Sequence, residues 1–304
     1  MRTVAEVGDG RRGLAPERRI RTRKGAARRR RVLKAAAGYL SLTVLGVAFA
    51  LPFLWMVSTA FKEPWQTFQI PPVWIPSPVT LDNFIVGWTA VPFNRYILNT
   101  VIITAGATLG TVLSATLVAY GFSRFRAPGR ELLFGVVVST MMLPPQVTIV
   151  PTYMLFNWLG WVDTFKPLIV PSYLGGGAFN IFLLRQFFRT IPMELDEAAR
   201  IDGCGSWGIL WRIIVPLSKP ALTTVGVFSI VYHWNDFFNP LIYLNSESRY
   251  TLSIGLKYFQ NAYGATEINL LMAVSLIALV PILIIFFVAQ KYFVQGITMT
   301  GLKG

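Results

Sequence analysis

Few residues of this sequence could do chemistry, and most of them lie in two polar stretches set among long apolar runs. The first stretch, ELDEAARIDG from Glu194 to Gly203, is dense in carboxylates. The second, WNDFFNP, places Asn235 and Asp236 in an otherwise apolar segment. Charged groups on an exposed helix can dock a partner, whereas an ionisable side chain within a membrane helix is by default a candidate functional site. The two stretches therefore predict different roles.

Motifs for catalysis and metal binding are missing from the sequence. There is no G-x-x-x-x-G-K-[ST] phosphate loop, no H-E-x-x-H and no G-x-S-x-G. With one histidine and one cysteine, Cys204, the chain has no ligand set for a structural zinc and can form no internal disulfide. If the protein moves a solute uphill, the energy is therefore expected from another subunit, and no cofactor is predicted for this chain.

The composition indicates that the solvent for most of the chain is lipid. Hydrophobic residues make up 54% and charged residues 14%, whereas globular domains have roughly 45–50% apolar and about 25% charged residues. A run of roughly 18 or more apolar residues with few charges predicts a transmembrane helix. Six runs qualify, and they predict an all-α polytopic membrane protein. They are Ala36 to Ala60, Ile97 to Phe122, Leu132 to Val150, Leu168 to Leu184, Ala221 to Leu244 and Ile268 to Gln290.

The distribution of Lys and Arg predicts the orientation of these spans. Basic residues cluster before the first run and after the second and fourth runs, and the alternate loops have few. Six spans with both termini in the cytoplasm satisfy this pattern. Residues 1–34 are then predicted to be a basic, disordered cytoplasmic tail, and residues 35–304 the membrane domain. The net charge of +14 is accordingly a topology signal, and no nucleic acid is expected as a partner.

The first polar stretch lies in a predicted cytoplasmic loop at about residues 187–219, and its sequence favours a short helix. Carboxylates in its first turn complement the helix dipole, and Gly203 suits a left-handed C-terminal cap. Ala198 and Ala199 give it a thin face that another backbone could approach. A second helix is predicted from near Ser206 until Pro216. Physical chemistry alone leaves two interpretations, a helix that docks in a groove of a partner and an amphipathic helix that rests on the membrane interface.

The same stretch resembles the signature of the membrane subunits of ABC importers, E-A-A, three residues, G, nine residues, I, one residue, L, P. The matching residues are Glu197, Ala198, Ala199, Gly203, Ile213 and Pro216, with Val215 in place of the usual Leu. In such importers this loop docks in a cleft of the ATPase subunit and passes its closure to the membrane helices. The resemblance thus implies an ATPase-coupling loop that also includes Arg200 and Asp202. Without it, Glu197 would be only a helix-start acid, and Arg200 and Asp202 could simply face water.

Further segments narrow the resemblance to sugar-importer permeases of the maltose-transporter type, specifically the six-span partner. They are PFNRYILNT from Pro92, AYGFSRFRAPGR from Ala119, MMLPPQVTIVPTYMLFNWLGWVDT from Met141, GGGAFNIFLLRQFFRTIPMELDEAARIDG from Gly175 and KYFVQGITMTGLKG from Lys291. The likeness covers about residues 35–304. It implies a transport subunit of a bacterial or archaeal cell membrane, and not an enzyme. The implied partners are a second homologous permease, two ATPase subunits that bind ATP and Mg, an external solute-binding protein, a sugar and membrane lipid.

The second polar stretch resembles a W-N-D/E-F-x-x-P-L string of the same family. Trp234, Asn235, Asp236 and Phe237 are therefore predicted to line the translocation path or to form a gate. Because the string is shared across the family, helix geometry explains it as well as contact with sugar does. In the third run, Pro144 and Pro145 are predicted to form a helix hinge, with tight packing as the alternative.

Two other function classes remain open at this point. A channel or secondary carrier would explain six spans, but it would predict pore-lining charges or an inverted repeat and would not need the coupling loop. An ABC importer for another solute, such as a polyamine or phosphate, would keep the loop. The sugar is implied by family likeness alone.

Overall fold

The computed structural model describes residues 16–261 and 267–300, with side chains for residues 32–144, 146–259 and 267–290. Every regular element in these ranges is helical, in agreement with the predicted all-α class. The α-helices are α1 Pro16–Ala60, α2 Pro64–Thr67, α3 Asp82–Thr89, α4 Phe93–Arg124, α5 Arg130–Ser139, α6 Pro145–Trp158, α7 Lys166–Ile169, α8 Ala178–Thr190, α9 Glu194–Ile201, α10 Ser206–Ile209, α11 Val215–Leu217, α12 Lys219–Asn235, α13 Phe238–Tyr243, α14 Leu252–Asn261 and α15 Ile268–Thr300. Short 3₁₀ segments lie at Thr140–Met142, Val170–Tyr173 and Glu247–Arg249, and a π-helical turn at Leu210–Ile214.

The described residues contain four helical segments long and apolar enough to cross a membrane, Val32–Ala60, Phe93–Arg124, Lys166–Thr190 and Ile268–Gln290. Two further candidates are pairs of helices joined at a sharp bend, and with each pair taken as one span the number reaches six. The third predicted run corresponds to the first bent pair, and the fifth predicted run to the second helix of the other pair together with α13. They differ from the straight helices that their hydropathy alone predicts.

The chain divides after Met56 into two compact units, and the first contains α1 up to that residue. Residues 16–34 are helical here, whereas the sequence predicts a disordered tail over residues 1–34. Arg, Lys and Ala are good helix formers, and they extend a helix that the following apolar run has already nucleated. Residues 1–15 of the predicted tail lie outside the described residues.

In the second unit α4 packs against both α8 and α12, and small side chains allow the close approach. Ala115 and Ala119 of α4 are completely buried together with Leu184 and Phe188 of α8 and Val225 of α12. This cluster also includes apolar side chains of the coupling loop, the name used here for residues 187–219. The core of the membrane domain and the base of the coupling loop are therefore one packed region.

One break interrupts the predicted third span, one lies just before the predicted fifth span and one lies within it. The segments Arg130–Met142 and Gln146–Trp158 meet at 102° around the two prolines, and Ser206–Leu217 meets Lys219–Asn235 at 79°. The third break ends α12 at Asn235, short of the predicted Leu244. Proline lacks the N–H donor that a helix interior needs and disfavours helical backbone in the residue before it, which accounts for the first break.

Asp163 ties two loops together at the end of α4 away from the coupling loop. One carboxylate oxygen accepts the N–H groups of Asn245 and Ser246 at 3.0 and 2.9 Å, and the other accepts the Ser246 hydroxyl. Arg249 pairs with the same carboxylate at 3.2 Å. The Ser246 hydroxyl and N–H, followed by these other groups, lower the pKa of Asp163 to about 2. The carboxylate is therefore charged, and the tie intact, throughout the physiological pH range.

Candidate functional site

Helix α9 carries the E-A-A motif and presents one exposed stripe to the outside. Glu194, Glu197, Ala198 and Ile201, spaced three and four residues apart, are all exposed in the chain as described. Ile201 leaves 86% of its surface exposed, which is unusual for an isoleucine beside a packed core. The stripe combines carboxylates, a small residue and a projecting apolar side chain.

The opposite side of α9 packs onto the protein itself. Asp196 and Ala199, three residues apart, are buried, and Ala199 belongs to the core cluster of α4, α8 and α12. The sequence suggested that Ala198 and Ala199 together form a thin face for a partner. The structure corrects this for Ala199, because a helix with one buried face turns adjacent residues in different directions. Only Ala198 of the two is exposed.

Gly203 ends α9 in the left-handed conformation that the sequence predicted, with φ at 81°. The N–H of Gly203 donates to the carbonyl of Arg200 at 3.0 Å, and the N–H of Cys204 donates to that of Ala199 at 2.8 Å. This pair of hydrogen bonds is the Schellman motif, which satisfies the last carbonyls of a helix. The corner leads into α10, whose Ile209 is buried in the core cluster of α4, α8 and α12.

The second half of the coupling loop is buried on the side that faces the core and exposed on the other side. Ile209, Leu210 and Ile214 are fully or almost fully buried in the same core cluster. Other predicted coupling residues differ in exposure: Ile213 is partly buried against the cluster, and Arg200, Asp202 and Pro216 are exposed.

Arg124 is a functional candidate that the sequence analysis missed, since it was interpreted only as part of the positive-inside signal. It is the last residue of α4 and is 5% exposed. Its Nη2 donates to the carbonyls of Phe188 and Ile191 at 2.8 and 3.0 Å. Its Nε lies 3.7 Å from a carboxylate oxygen of Asp196. One buried guanidinium thus joins the end of α4 to the end of α8 and to α9.

The Asp196 carboxylate is almost completely enclosed, with 1% of its side chain exposed. Burial raises the pKa of Asp196 above its ordinary value, and this outweighs the attraction from Arg124 and Arg200, which lowers it. A carboxylate in such a place depends on its cationic partner, because removing one member of a buried pair leaves an uncompensated charge.

Two more contacts brace the coupling loop and its neighbours. The Tyr120 hydroxyl, one turn before Arg124, donates to the carbonyl of Ser206 at 3.0 Å. Arg185 of α8 forms two hydrogen bonds of 2.7 Å with Glu131 of α5, and its guanidinium lies 3.9 Å from the ring centre of Phe134. The bond between Arg185 and Glu131 is charge-assisted and joins α8 to α5, whereas Tyr120 joins α4 to the loop through a neutral hydrogen bond.

A cleft of about 680 Å³ opens between α4, the start of α8 and α12, and we call it the α4–α12 cleft. Its lining consists of Thr111, Pro171, Ser172, Gly176, Gly177, Phe179, Asn180, Phe228, Ser229, Val231, Tyr232 and His233. The Ser229 hydroxyl is buried and has no hydrogen-bond partner among the described residues. The cleft thus combines aromatic faces with a few uncharged polar groups.

The predicted path residues lie immediately after the last α12 residue that lines this cleft. Trp234 is buried and donates its indole N–H to the carbonyl of Ala278 in α15 at 3.2 Å. Asp236 accepts the backbone and side-chain N–H groups of Asn239 at 3.2 and 2.8 Å, so it caps α13. Asn235 is exposed, and Phe237 lies 5.5 Å from the Lys257 ammonium. Trp234 and Asp236 thus make contacts that stabilise the local structure. That Trp234, Asn235, Asp236 and Phe237 line a translocation path remains a prediction.

The predicted hinge residues sit at the sharpest bend. Pro144 is the extended residue before α6, and Pro145 is the first residue of that helix. As for metals, no group of three or more His, Cys, Asp or Glu side chains within the described ranges could hold an ion.

Comparison with protein families matches residues 106–299 to a model described as the binding-protein-dependent transport system inner membrane component. Among relatives, the arabinooligosaccharides transport system permease AraQ of Halalkalibacterium halodurans is 32% identical, covering 86% of this chain and 96% of its own length. The sn-glycerol-3-phosphate transport system permease UgpE of Yersinia enterocolitica is 33% identical, covering 84% and 93%.

A solved structure has the same fold. It belongs to a bacterial ABC transporter that imports the acidic polysaccharide alginate, and one of its chains superposes with a TM-score of 0.77 at 22% identity. The match covers 86% of this chain and 96% of the other.

Proposed function

This chain belongs to the family of binding-protein-dependent transport system inner membrane components, and we propose on that premise that it imports a sugar or oligosaccharide by coupling to an ATPase through residues 187–219. It is a multi-pass membrane permease subunit of an ABC importer, and ATP is hydrolysed on a separate subunit in such importers. The sugar and the coupling residues are the parts that we propose.

The proposed assembly contains a second homologous permease, two ATPase subunits that bind ATP and Mg, and an external solute-binding protein. Both termini of this chain lie in the cytoplasm in this arrangement. The positive-inside distribution of Lys and Arg supports that orientation, because it puts the coupling loop on the side where ATP is available. The loops tied together by Asp163 then face outward, toward the solute-binding protein.

The observation that carries the coupling role is the exposed stripe of α9. An isoleucine that is 86% exposed stands next to the E-A-A motif on a helix whose other face is packed into the core. A helix that lays such a stripe in a groove is a recurring mode of recognition. Glu197 and Ala198 would meet the ATPase in the same contact, and Arg200 and Asp202 would lie at its rim.

The first test is co-purification of an ATPase with the detergent-solubilised protein from membranes of the organism that encodes it. Wild type is compared with Glu197→Lys, which reverses an exposed charge on the stripe, and with Gly203→Pro, which breaks the corner after α9. We expect an active ATPase with wild type and its loss, or loss of coupling, in both variants. Asp82→Lys is the control, because Asp82 is also an exposed acid in the first turn of a helix but lies in α3.

One result would overturn the proposal. If wild type brings down no ATPase under conditions that keep membrane complexes intact, the coupling interpretation fails. A channel or secondary carrier would then be the better hypothesis.

We assign the path of the solute to the α4–α12 cleft. Aromatic rings with a few precisely placed polar groups suit a sugar, which has apolar faces and hydroxyl edges. Tyr232 and Phe228 supply such rings, and Ser172 and Asn180 are among the uncharged polar residues of the lining. The neighbouring Trp234 and Asp236 keep a geometric role in this scheme, because they fix the break between α12 and α13 beside the cleft.

The relatives leave two classes of solute, sugars and a phosphorylated polyol. Phosphate sites are usually built with Arg or Lys, which provide charge-assisted hydrogen bonds. The described residues that line the cleft include neither, which favours an uncharged sugar over sn-glycerol 3-phosphate.

The test of the path is uptake by cells that carry single variants, with radiolabelled arabinotriose, maltotriose and sn-glycerol 3-phosphate as probes. We expect uptake of a sugar, and Tyr232→Ala should raise its half-saturation concentration about fivefold, the equivalent of about 1 kcal/mol of lost ring contact. Phe286→Ala is the control, since Phe286 is an exposed aromatic of α15 that does not line the cleft. Equal half-saturation in both variants would remove the cleft from the path, and uptake of only the phosphate would refute the sugar.

A further inference from the structure

We propose that Arg124 is a positioning residue that fastens the coupling loop to α4, so that displacement of the loop by the ATPase moves α4 directly. This inference rests on the proposed function of the loop. The covalent chain offers the loop only two routes into the membrane, through α8 before it and through α12 after it. The contacts of Arg124 add a third route that the order of the helices does not predict.

The attachment to α4 involves three separate parts of the coupling loop region. Arg124 holds the carbonyls of Phe188 and Ile191 at the end of α8, and it faces Asp196 within α9. Tyr120 holds the carbonyl of Ser206 at the start of α10. Since Arg124 and Tyr120 are four residues apart on one helix, they present a single face to the loop. A loop bound at several points is expected to move with α4 as one body.

Helix α4 then reaches the other functional regions of the chain. Its 32 residues span about 48 Å at 1.5 Å per residue. At mid-length Thr111 lines the α4–α12 cleft, and the Ser114 hydroxyl donates to the carbonyl of Ser172 at 2.8 Å. Near its start Asn99 donates to the carbonyls of Ser248 and Tyr250 at 3.1 and 2.9 Å. One rigid helix thus contacts the coupling loop, the cleft and the outward loops.

The chemistry of the contact requires arginine. A guanidinium is planar, always charged and able to donate in several directions at once, whereas a lysine ammonium acts as a point charge. At this position Nη2 serves two carbonyls while Nε faces the carboxylate. Asp196 in turn requires Arg124, because burying its carboxylate without a nearby cation would be unfavourable.

The experiment uses cysteine reporters in the complete complex with its ATPase, in a Cys204→Ser background that removes the sole native cysteine. Thr111→Cys reports on α4, and Tyr232→Cys reports on α12 from the other wall of the cleft. The rate of labelling by fluorescein maleimide is measured with and without ATP, Mg and orthovanadate. Tyr120→Phe, present in every protein of the comparison, removes the hydrogen bond from α4 to Ser206. The Arg124 link is then severed with the double variant Arg124→Met and Asp196→Asn, which leaves no unpaired buried charge and should therefore fold.

With the link intact, nucleotide should change the labelling rate at both positions. In the double variant the complex should still contain the ATPase and the change at position 232 should persist, because α12 remains covalently joined to the loop. The nucleotide-dependent change at position 111 should fall by about tenfold, within the range typical of coupling between sites. Arg126→Met, which removes an exposed arginine two residues beyond Arg124, is the control and should leave both changes intact.

Three outcomes separate the possible explanations. An undiminished change at position 111 in the severed complex overturns the inference while leaving the proposed function in place. Parallel losses at positions 111 and 232 also overturn it, since they indicate general damage to the loop. Absence of any ATPase from the unsevered protein contradicts the proposed function itself.

Discussion

Gly203 ends α9 with a backbone conformation that other residues adopt only at a cost. Its φ is +81°, and a Cβ atom added there would meet no atom within 4 Å. Gly203→Ala should therefore add backbone strain without a clash, at a cost of about 1–2 kcal/mol. We expect a lower melting temperature of the purified protein and weaker capture of the ATPase.

Gly205 provides the matched control for this prediction. It lies two residues further on, has φ at −73° and also has no atom within 4 Å of an added Cβ. Gly205 is the N-cap of α10, where alanine is less favourable than glycine, so Gly205→Ala should cost under about 1 kcal/mol and less than Gly203→Ala. If the two variants melt at the same temperature as wild type, the cap does not determine the geometry of the loop.

The features of the site that could be predicted are those that depend on residues close together in the sequence. The short helix α9 and its left-handed end at Gly203 follow from residue types within a few positions, where capping and helix geometry operate. Arg124 could not be found in this way, because the carbonyls that it binds lie 64 and 67 residues along the chain. The positive-inside rule also supplied a sufficient explanation for an arginine at that place. A contact between residues so far apart in the sequence can be identified only once the packing of the helices is known.

Among the helices, hydropathy located the spans but not their bends. Long apolar runs indicate which segments prefer lipid, whereas bends depend on local backbone chemistry and on neighbouring helices. The prolines at positions 144 and 145 gave a sequence signal for the 102° bend. The break after Asn235, where Asp236 caps α13, had a weaker signal, so the fifth span was predicted as longer and straighter than it is. The 79° bend near Ser218 lies before that span, where Pro216 predicts the end of the preceding helix.

The packing of α8 against α4 leads to a prediction about Gly176. Its φ is +70°, and an added Cβ would lie 2.5 Å from the carbonyl oxygen of Thr111 and 2.8 Å from the Cβ of Ala115. Gly176→Ala should therefore combine backbone strain with a clash against a helix backbone that cannot easily move, at a total cost of about 2–5 kcal/mol. The melting temperature in detergent, measured by intrinsic fluorescence, should fall sharply.

Gly175 separates the two contributions. It also has a positive φ, +112°, but no atom lies within 4 Å of an added Cβ. Gly175→Ala adds strain without a clash, and the strain at φ +112° is at least that at +70°, so a lower melting temperature for Gly176→Ala than for Gly175→Ala would reveal the clash. Equal melting temperatures for the two variants would mean that α8 does not press against α4 as closely as the structure has it.

The transport scheme requires the two ends of α4 to lie on opposite sides of the membrane. The end at Arg124 holds the coupling loop, and the other end holds the loops joined by Asp163. Only the end with the coupling loop can meet a cytoplasmic ATPase. Arg126 and Asp82 are exposed residues near the cytoplasmic and outward ends, respectively, in the proposed orientation.

Single cysteines at these two positions, in a Cys204→Ser background, test that orientation. A membrane-impermeant maleimide added to intact cells should label Asp82→Cys at once and Arg126→Cys only after permeabilisation, because a charged reagent does not cross the hydrocarbon core. The reverse pattern would put the coupling loop outside, where ATP-driven coupling is impossible, and would refute the proposed function whatever the loop binds in detergent. The expected pattern would leave α4 with one end on each side of the membrane, as a helix that carries the movement of an ATPase to an outward gate must be.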